Sequence, residues 1–333
     1  MSNAPIVTVL ICAYNAEKYI ADCLNAVINQ TYKNLEIIII NDGSTDNTQD
    51  ILNKISKIDS RIKLVLNKKN IGFINSLNKG LTYSTGKYIA KTDADDITKP
   101  EWIEKIVSVM EKEDSILAMG SYMSIISEKD NGSMLSKKAS HGDEWRKPLS
   151  HSEIIEAMLF YCPMNNPSMI MKTEIYTKYG LKFDPNYLYA EDYKFWLEVS
   201  RIGKLANYPE SLVYYRLHSN QTSSLHINKQ LKTAKKIRKE AINYYLSDLG
   251  IKHSLSKKIT FKDVLLIQKE EYNISIPNSE IFNQILYDCY FSLDKYNIRE
   301  LLLFLINKNN FSWKQKRRII KKFIFPQKYK SIL

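Results

Sequence analysis

Three carboxylates stand within four residues at Asp93-Ala94-Asp95-Asp96, directly after the short run Lys87 to Lys91 that reads as a strand. Carboxylates this crowded repel one another unless a cation or hydrogen-bond donors compensate, and oxygen ligands suit Mg2+ or Mn2+ carrying substrate phosphates. A divalent metal is therefore expected. The competing reading is a solvated turn, in which Asp96 only caps the helix that begins near Pro100. A second acidic loop, Asn41-Asp42-Gly43-Ser44-Thr45-Asp46, follows the run Leu35 to Ile40. Asp42 is suited to accept hydrogen bonds from a base or ribose, and Gly43 permits a tight turn. Taken alone, that loop is ordinary turn and cap chemistry. Glu191-Asp192 opens a helical stretch, where acidic side chains also simply complement the helix dipole. His218 follows a late strand and lies two residues after Arg216; a lone histidine is more often structural than functional.

These residues need a frame that holds them, and the apolar pattern supplies one. Up to about residue 120, short β-branched runs alternate with helix-period stretches, the pattern of consecutive βα units around a parallel sheet. Strands are expected at Ile6 to Ile11, Leu35 to Ile40, Ile62 to Leu66, Lys87 to Lys91 and Ile116 to Gly120. Asn15 stands where an N-cap belongs before a helix through Ile20, Leu24, Val27 and Ile28, and Gly43 to Asp46 caps a helix through Ile51, Leu52 and Ile55. A loop and helix follow over Asn70 to Ser84, and a helix over Glu101 to Met110. Later come a hairpin signal at Asn131-Gly132, a polar loop over 137–150, a strand over Pro167 to Met171, a helix over Glu191 to Ile202 and a strand over Ser211 to Arg216. From about residue 227 the chain turns helical, with periodicity through Phe261, Val264, Leu265, Ile281, Ile285 and Leu301 to Leu305. The fold class is α/β: a Rossmann-like, mostly parallel mixed sheet flanked by helices over residues 1–225, then a helical region over 226–333. Ligands in open α/β sheets bind outside the carboxyl ends of the strands, and both acidic loops fall on that edge.

Composition excludes several classes. Hydrophobic residues at 44% and charged residues at 25% of 333 describe a globular chain, neither disordered nor collagenous. The longest apolar runs, Val9 to Tyr14 and Leu301 to Ile306, fall far short of the roughly 18 residues of a membrane-spanning helix. No basic n-region or small-residue cleavage site is read before Tyr14, so a cytoplasmic protein is expected. Cys12, Cys23, Cys162 and Cys289 lack CxxC spacing, which favours reduced thiols over zinc or disulfides. No GxGxxG follows the first strand, which disfavours a dinucleotide oxidoreductase.

The four ordered blocks resemble the inverting, family 2 glycosyltransferases with the nucleotide-diphospho-sugar-transferase (GT-A) fold. The similarity runs from about residue 5 to about 224, through Val7 to Asn15, Asn41 to Asp46, Asn70-Ile71-Gly72 with Leu77 to Leu81, and Asp93 to Asp96. The resemblance implies that Ala13, Tyr14 and Asp42 line a nucleotide pocket, that Asn70 and Gly72 help close it, and that Asp93 and Asp95 serve ribose and metal. Cys12 stands where many relatives carry proline. Tyr189-Ala190-Glu191-Asp192 is similar to the family's Glu-Asp motif, which makes Asp192 the general base: inversion needs one group to take the proton from the attacking acceptor hydroxyl. Tyr215 to Ser223 resembles the family's late motif, from which His218 would complete the metal shell and Arg216 would meet the pyrophosphate. Asn165-Asn166-Pro167-Ser168 looks like the family's loop before the second half of the sheet and is expected to touch donor sugar or acceptor.

The implied activity is metal-dependent, inverting transfer of a sugar from a nucleotide-diphosphate donor, by default uridine diphosphate, to a saccharide or lipid-linked saccharide in surface polysaccharide biosynthesis. Two rivals stand beside it. Asp93-x-Asp95 after a strand also resembles the nucleophile motif of haloacid-dehalogenase-type phosphatases, although Ile97 stands where that motif wants Thr or Val. A scaffold that binds nucleotide or glycan without turnover is the other.

The net charge of +12 is unevenly placed. No acidic residue follows Glu300, while Lys308, Lys314, Lys316, Arg317, Arg318, Lys321, Lys322, Lys328 and Lys330 add nine positive charges. Over Trp313 to Phe325, helical rotation gathers Trp313, Ile319, Ile320, Phe323 and Ile324 on one side and Lys314, Arg317, Arg318, Lys321 and Lys322 on the other. Residues 311–330 therefore suit peripheral binding to an anionic inner leaflet, or else a helix packed by its apolar side on the rest of the protein. Nucleic acid is disfavoured, because the charge is confined to one segment without a recognised binding module.

Overall fold

The structure, a computed structural model, describes residues 4–127, 140–219, 221–271, 276, 278–294, 297–306, 311–329 and 331–333. Asn131-Gly132 lies outside the described residues. Two compact units are present, Met1–Ala157 with Cys162–Thr233 and Met158–Tyr161 with Ala234–Leu333.

The first unit opens with β1 (Val7–Ala13), α1 (Ile20–Ile28), β2 (Leu35–Asn41), α2 (Thr48–Ser56), β3 (Ile62–Leu66), α3 (Phe73–Tyr83) and β4 (Tyr88–Lys91). It continues through β5 (Ile97–Thr98), α4 (Trp102–Met110), β6 (Ile116–Ser127), β7 (Glu144–Trp145), α5 (His151–Met158), β8 (Ile170–Lys172), α6 (Glu174–Thr177), α7 (Glu191–Val199), β9 (Lys204–Leu217) and α8 (Thr222–Leu225). One nine-stranded sheet runs β3-β2-β1-β4-β8-β6-β9-β5, with β7 added on β6. The β3, β2, β1 and β4 strands are parallel, β8 is antiparallel to both β4 and β6, and β9 is parallel to β6. Two reversals cancel, so β9 points the same way as β1, β2 and β4. The carboxyl ends of all four strands therefore share an edge, and the segments beginning at Tyr14, Asp42, Thr92 and His218 emerge there.

Burial on both faces explains the apolar run Ile37 to Ile40 in β2. On one face α1 and α4 bring Ile20, Leu24, Val27, Trp102, Ile106 and Met110 into the same core as Val9, Ile11, Ile37 and Ile39. Ile74, Leu77 and Leu81 of α3 are buried as well.

Local structure departs from the expectation in several places, among them the strand expected over Pro167 to Met171, where a 3-10 turn over Asn166–Ser168 precedes β8, and the loop expected over 137–150, which contains β7. Asn15 does not cap α1: it adopts φ 48°, and its Oδ1 accepts the Thr45 N–H at 2.8 Å. Asparagine is among the few residues that tolerate that conformation. Asp96 does not cap α4, whose N-cap is Glu101; its Oδ1 accepts the Arg216 N–H at 2.9 Å. The short β5 was not foreseen. The late strand is longer than Ser211 to Arg216, because β9 pairs along β6 through register shifts near Ser121 and Tyr122 that absorb Pro209 and Glu210.

The second unit takes in the later turns of α9 (Ile227–Asp248), then α10 (Phe261–Glu271), α11 (Ser279–Ser292), α12 (Ile298–Leu305) and α13 (Trp313–Ile324). Its centre is α11, buried from Ile285 to Ser292. Arg238 and the buried Asp288 pair at 2.9 Å within it. A capping box between Ser312 and Gln315 starts α13. Ile319 is buried, and so is Lys322, which helical rotation puts on the other side of the helix: its Nζ donates to the carbonyls of Phe291 and Leu293.

Candidate active site

Asp42 is a buried organiser. Its Oδ1 accepts from Asn67 Nδ2 at 2.8 Å and from the Ile71 N–H at 2.9 Å, and its Oδ2 accepts from the Gly72 N–H at 3.0 Å. Asn70 Oδ1 accepts the same Gly72 N–H at 2.9 Å. Asp42, Asn70 and Gly72 thus form one structure. Two glycines make it possible. Gly72 sits at φ 90°, and at Gly43, φ 69°, a Cβ would lie 2.4 Å from the Lys69 carbonyl carbon. Beside it, Glu17 Oε2 accepts from the Asn47 N–H at 2.9 Å and Thr48 Oγ1 accepts the Ala16 N–H at 2.8 Å, which stitches the segment after β1 to the segment after β2. Ala13 is buried at the end of β1, and Tyr14 next to it is exposed.

Lys91 ends β4 only 5% exposed, and its ammonium lies 2.5 Å from Asp93 Oδ1 and over the Phe73 ring. Burial disfavours this cation, but Asp93 more than compensates and holds its pKa above the ordinary value. The same ammonium acts on the Cys12 thiol together with Asp93 and Asp42, so both acidic loops come within electrostatic reach of one atom. Burial pushes that thiol up to about 12, which keeps it protonated and unreactive.

Asp192 is the second residue of α7 and lies three positions after Tyr189, a non-glycine residue at φ 69° whose ring stacks on His226. Burial raises the Asp192 carboxyl above the ordinary aspartate range, while the Tyr193 N–H at 2.7 Å and the Lys91 ammonium pull it down and Asp93 pushes it up. Glu191 is raised to about 7, first by burial and then by Asp192. Lys91 is therefore the charge that links Asp192 to the Asp93 loop.

His218 Nε2 lies 2.8 Å from Asp95 Oδ2. Arg216 reinforces this contact: its Nε donates to the Asp95 carbonyl at 2.9 Å, its backbone N–H to Asp96, and its NH2 lies 3.4 Å from Asp22. The Tyr19 ring packs against both the His218 ring, at 4.9 Å, and the Arg216 guanidinium, at 4.8 Å. Asp96 Oδ2 is buried and has no hydrogen-bond partner, and burial together with Asp95 and Asp93 raises this carboxyl well above its usual range. Among the described residues, no three His, Cys, Asp or Glu side chains are arranged to hold an ion; the protein offers the Asp95 and His218 pair.

The structure thus brings Asp42, Asn70 and Gly72 together, pairs Lys91 with Asp93 within electrostatic reach of Asp192, and brings Asp95, Arg216 and His218 together. In the 165–168 loop Asn165 Nδ2 donates to the Ser121 carbonyl at 2.9 Å and the Ser168 hydroxyl to the Asn165 carbonyl at 2.8 Å, which commits these two buried side chains to internal ties, while Asn166 Oδ1 is buried without a hydrogen-bond partner. Sequence reasoning missed Lys91, Tyr19 and Asp22. A lysine ending an otherwise apolar strand, two residues before Asp93, was an available signal; Tyr19 and Asp22 carried none. An open groove of about 600 Å³ lined by Lys99, Tyr122, Glu144, Arg146, Glu210 and others contains none of the expected site residues.

Comparison with known proteins adds to this geometry. A family model described as glycosyl transferase family 2 matches residues 8–176. An uncharacterized glycosyltransferase of Haemophilus influenzae is 52% identical over 325 residues, 97% of this chain and 98% of that protein. S. aureus TarS, solved in complex with UDP-GlcNAc, superposes with a TM-score of 0.55 at 17% identity, covering 96% of this chain and 91% of that one. A mannosyltransferase from Pyrobaculum calidifontis, solved with GDP-Man and Mn2+, superposes with a TM-score of 0.50 at 15% identity over 98% of this chain and 89% of its own.

Proposed function

The chain belongs to glycosyl transferase family 2 and is a glycosyltransferase of GT-A fold; from that premise we propose that it is a metal-dependent, inverting enzyme that moves a sugar from a uridine-diphosphate donor to a saccharide or lipid-linked saccharide acceptor. The observation that carries the proposal is the 2.8 Å contact between Asp95 and His218, which joins the acidic loop after β4 to the segment after β9.

In this reading Ala13, Tyr14 and Asp42 border the nucleotide, with the Gly72 N–H held by both the Asp42 carboxylate and Asn70 Oδ1, and Asp93 meets the ribose. Arg216 serves the diphosphate from a position already fixed by Asp95 and Tyr19. Asp192 accepts the proton of the acceptor hydroxyl as that oxygen bonds to the anomeric carbon. The bond from that carbon to the diphosphate oxygen breaks on the opposite face, and its electron pair leaves with the diphosphate. A carboxylate held in a half-buried site, with its pKa raised toward the working pH, is a better base than an ordinary exposed aspartate.

One carboxylate oxygen and one imidazole nitrogen suit Mn2+ or Mg2+ whose remaining ligands are diphosphate oxygens and water. Asp95 and His218 would hold the ion, and it would supply neutralisation of the charge that builds on the departing diphosphate. That the P. calidifontis mannosyltransferase is solved with Mn2+, and TarS with a uridine-diphosphate sugar, supports the choices of ion and nucleotide.

The proposed setting is the cytoplasmic side of the membrane in surface polysaccharide biosynthesis, with residues 311–330 against anionic lipid. A haloacid-dehalogenase-type phosphatase is not favoured, because family membership speaks against it. A panel of nucleotide sugars assayed with Mn2+ tests the proposal. Release of nucleoside diphosphate from one of them supports it. Turnover of simple phosphomonoesters in place of every nucleotide sugar overturns it.

A further inference from the structure

Helix α13 is fastened to the second unit by one side and leaves another apolar side uncovered. Ile319 is fully buried, Lys322 donates to the carbonyls of Phe291 and Leu293, and Gln315 donates to Gln284 at 3.0 Å. These three residues lie within one arc of the helix. At about 100° per residue, Trp313, Arg317, Ile320 and Ile324 fall on the opposite arc, with Lys314 and Lys321 beside them. Trp313 is 74% exposed and Ile324 56%, and Phe325, just past the helix, is exposed as well. Arg317, Lys321 and Lys314 are also exposed.

The apolar residues expected on one side of this helix are therefore split. Ile319 is spent on the protein's own core, while Trp313 and Ile324 face outward among cations. No acidic residue follows Glu300, so the outward arc carries positive charge without a compensating carboxylate on its own segment. Its partner must offer negative charge and, in the same place, an apolar layer. Phosphate groups of a nucleic acid supply the first and give an isoleucine side chain nothing to enter; the surface of an anionic bilayer supplies both. Ile298, Leu302 and Ile306 also form an exposed stripe along α12, but Arg299 and Glu300 cancel there, and nothing indicates what covers it.

We propose that the outward arc of α13, formed by Trp313, Arg317, Lys321 and Ile324, is the surface by which the protein lies on anionic lipid, with Trp313 and Ile324 at the boundary of headgroups and acyl chains. The inference rests on the membrane reading of residues 311–330. It narrows a charged segment to one side of one helix and removes Ile319 and Lys322 from the contact.

The test is co-sedimentation of the full chain with vesicles of phosphatidylcholine alone or with about 30% phosphatidylglycerol, in about 0.1 M salt. The chain is expected to pellet with the anionic vesicles only. W313S and I324S should each lower partitioning by about tenfold, the scale for withdrawing a large apolar side chain. R317Q and K321Q should each lower it by about fivefold. L302S should leave it unchanged, and all these variants should keep the parent melting temperature and donor hydrolysis. Failure of the parent chain to pellet with anionic vesicles, including the case where it binds an acidic polymer instead, overturns the membrane reading itself. Undiminished pelleting of W313S and I324S, or an equal loss in L302S, overturns the arc assigned here and leaves that broader reading standing.

Discussion

His218 Nε2 and Asp95 Oδ2 lie 2.8 Å apart although 123 positions separate them in the chain. The contact exists because β9 runs in the same direction as β4, so both strands release their carboxyl-terminal residues at one edge. Arg216 fixes it from the backbone side by holding the Asp95 carbonyl, and Tyr19 closes it from α1. The proposed nucleoside-diphosphate site rests on this arrangement, and its parts are separately testable.

Asp192→Asn keeps the size of the side chain and removes its basicity. Sugar transfer should fall by roughly a hundredfold or more, on the usual scale for general-base catalysis, while the affinity for nucleoside diphosphate stays within about twofold of the parent. Steady-state transfer rates and a calorimetric titration with UDP read the two quantities. Near-normal transfer would remove Asp192 from this role.

Transfer should depend on pH in a particular direction. The base works as a carboxylate, so activity is lost as pH falls through the Asp192 pKa, and burial places that loss above the range of an ordinary aspartate. Lys91 pulls the same pKa down. Lys91→Met should therefore move the acid limb of kcat to higher pH by up to about one unit, and Lys91→Arg should move it back. An acid limb that stays in place in Lys91→Met contradicts the link between this cation and the base.

Glu191 supplies a stability test. Its carboxyl is raised to about 7 in the folded chain against an ordinary value of 4.5, so its ionised form is a penalty on folding. That penalty is fully present above the folded value, shrinks as pH falls through it, and is gone below the ordinary value. Glu191→Gln should raise the melting temperature by a few degrees near pH 8 and leave it unchanged near pH 4. Equal melting curves at both pH values would show that Glu191 is not held against its charge.

Gly43→Ala should be costly for two reasons at one position. The residue sits at φ 69°, and its new methyl group would meet the Lys69 carbonyl carbon at 2.4 Å, a backbone atom that cannot swing aside. A loss of about 1 to 3 kcal/mol in chemical denaturation is expected, together with weaker UDP binding, because the displaced 69–72 segment is the one Asp42 organises. Unchanged stability would mean that the two loops are not packed as described.

The parallel half of the fold was legible because its strands are short apolar, β-branched runs: Leu35 to Ile40, buried on both faces, and Ile62 to Leu66, a half-exposed edge strand, can both be read within a residue of their observed limits. The two acidic loops were legible for the same reason, since they end such strands. The β6 and β9 pair was not, because β9 carries Lys204, Asn207, Glu210 and a proline, and its length depends on bulges matched to a distant strand. Lys91 was passed over because a charge at the end of a strand looks solvated until Asp93 and Phe73 are seen around it. Helical rotation sorted α13 into an apolar and a basic side, but the arc that turns inward cuts across both, taking Ile319 from one and Lys322 from the other. That choice is made by the carbonyls of Phe291 and Leu293 at the end of α11, which lack partners in their own helix and take the Lys322 ammonium.

The most direct test of the central claim is a calorimetric titration of UDP into the protein with and without Mn2+, repeated on Asp95→Ala. Asp95 and His218 acting as one cation-holding pair predict that Mn2+ strengthens UDP binding by at least about tenfold in the parent chain and that Asp95→Ala abolishes the gain. Equal affinity with and without Mn2+ in the parent chain would contradict the account.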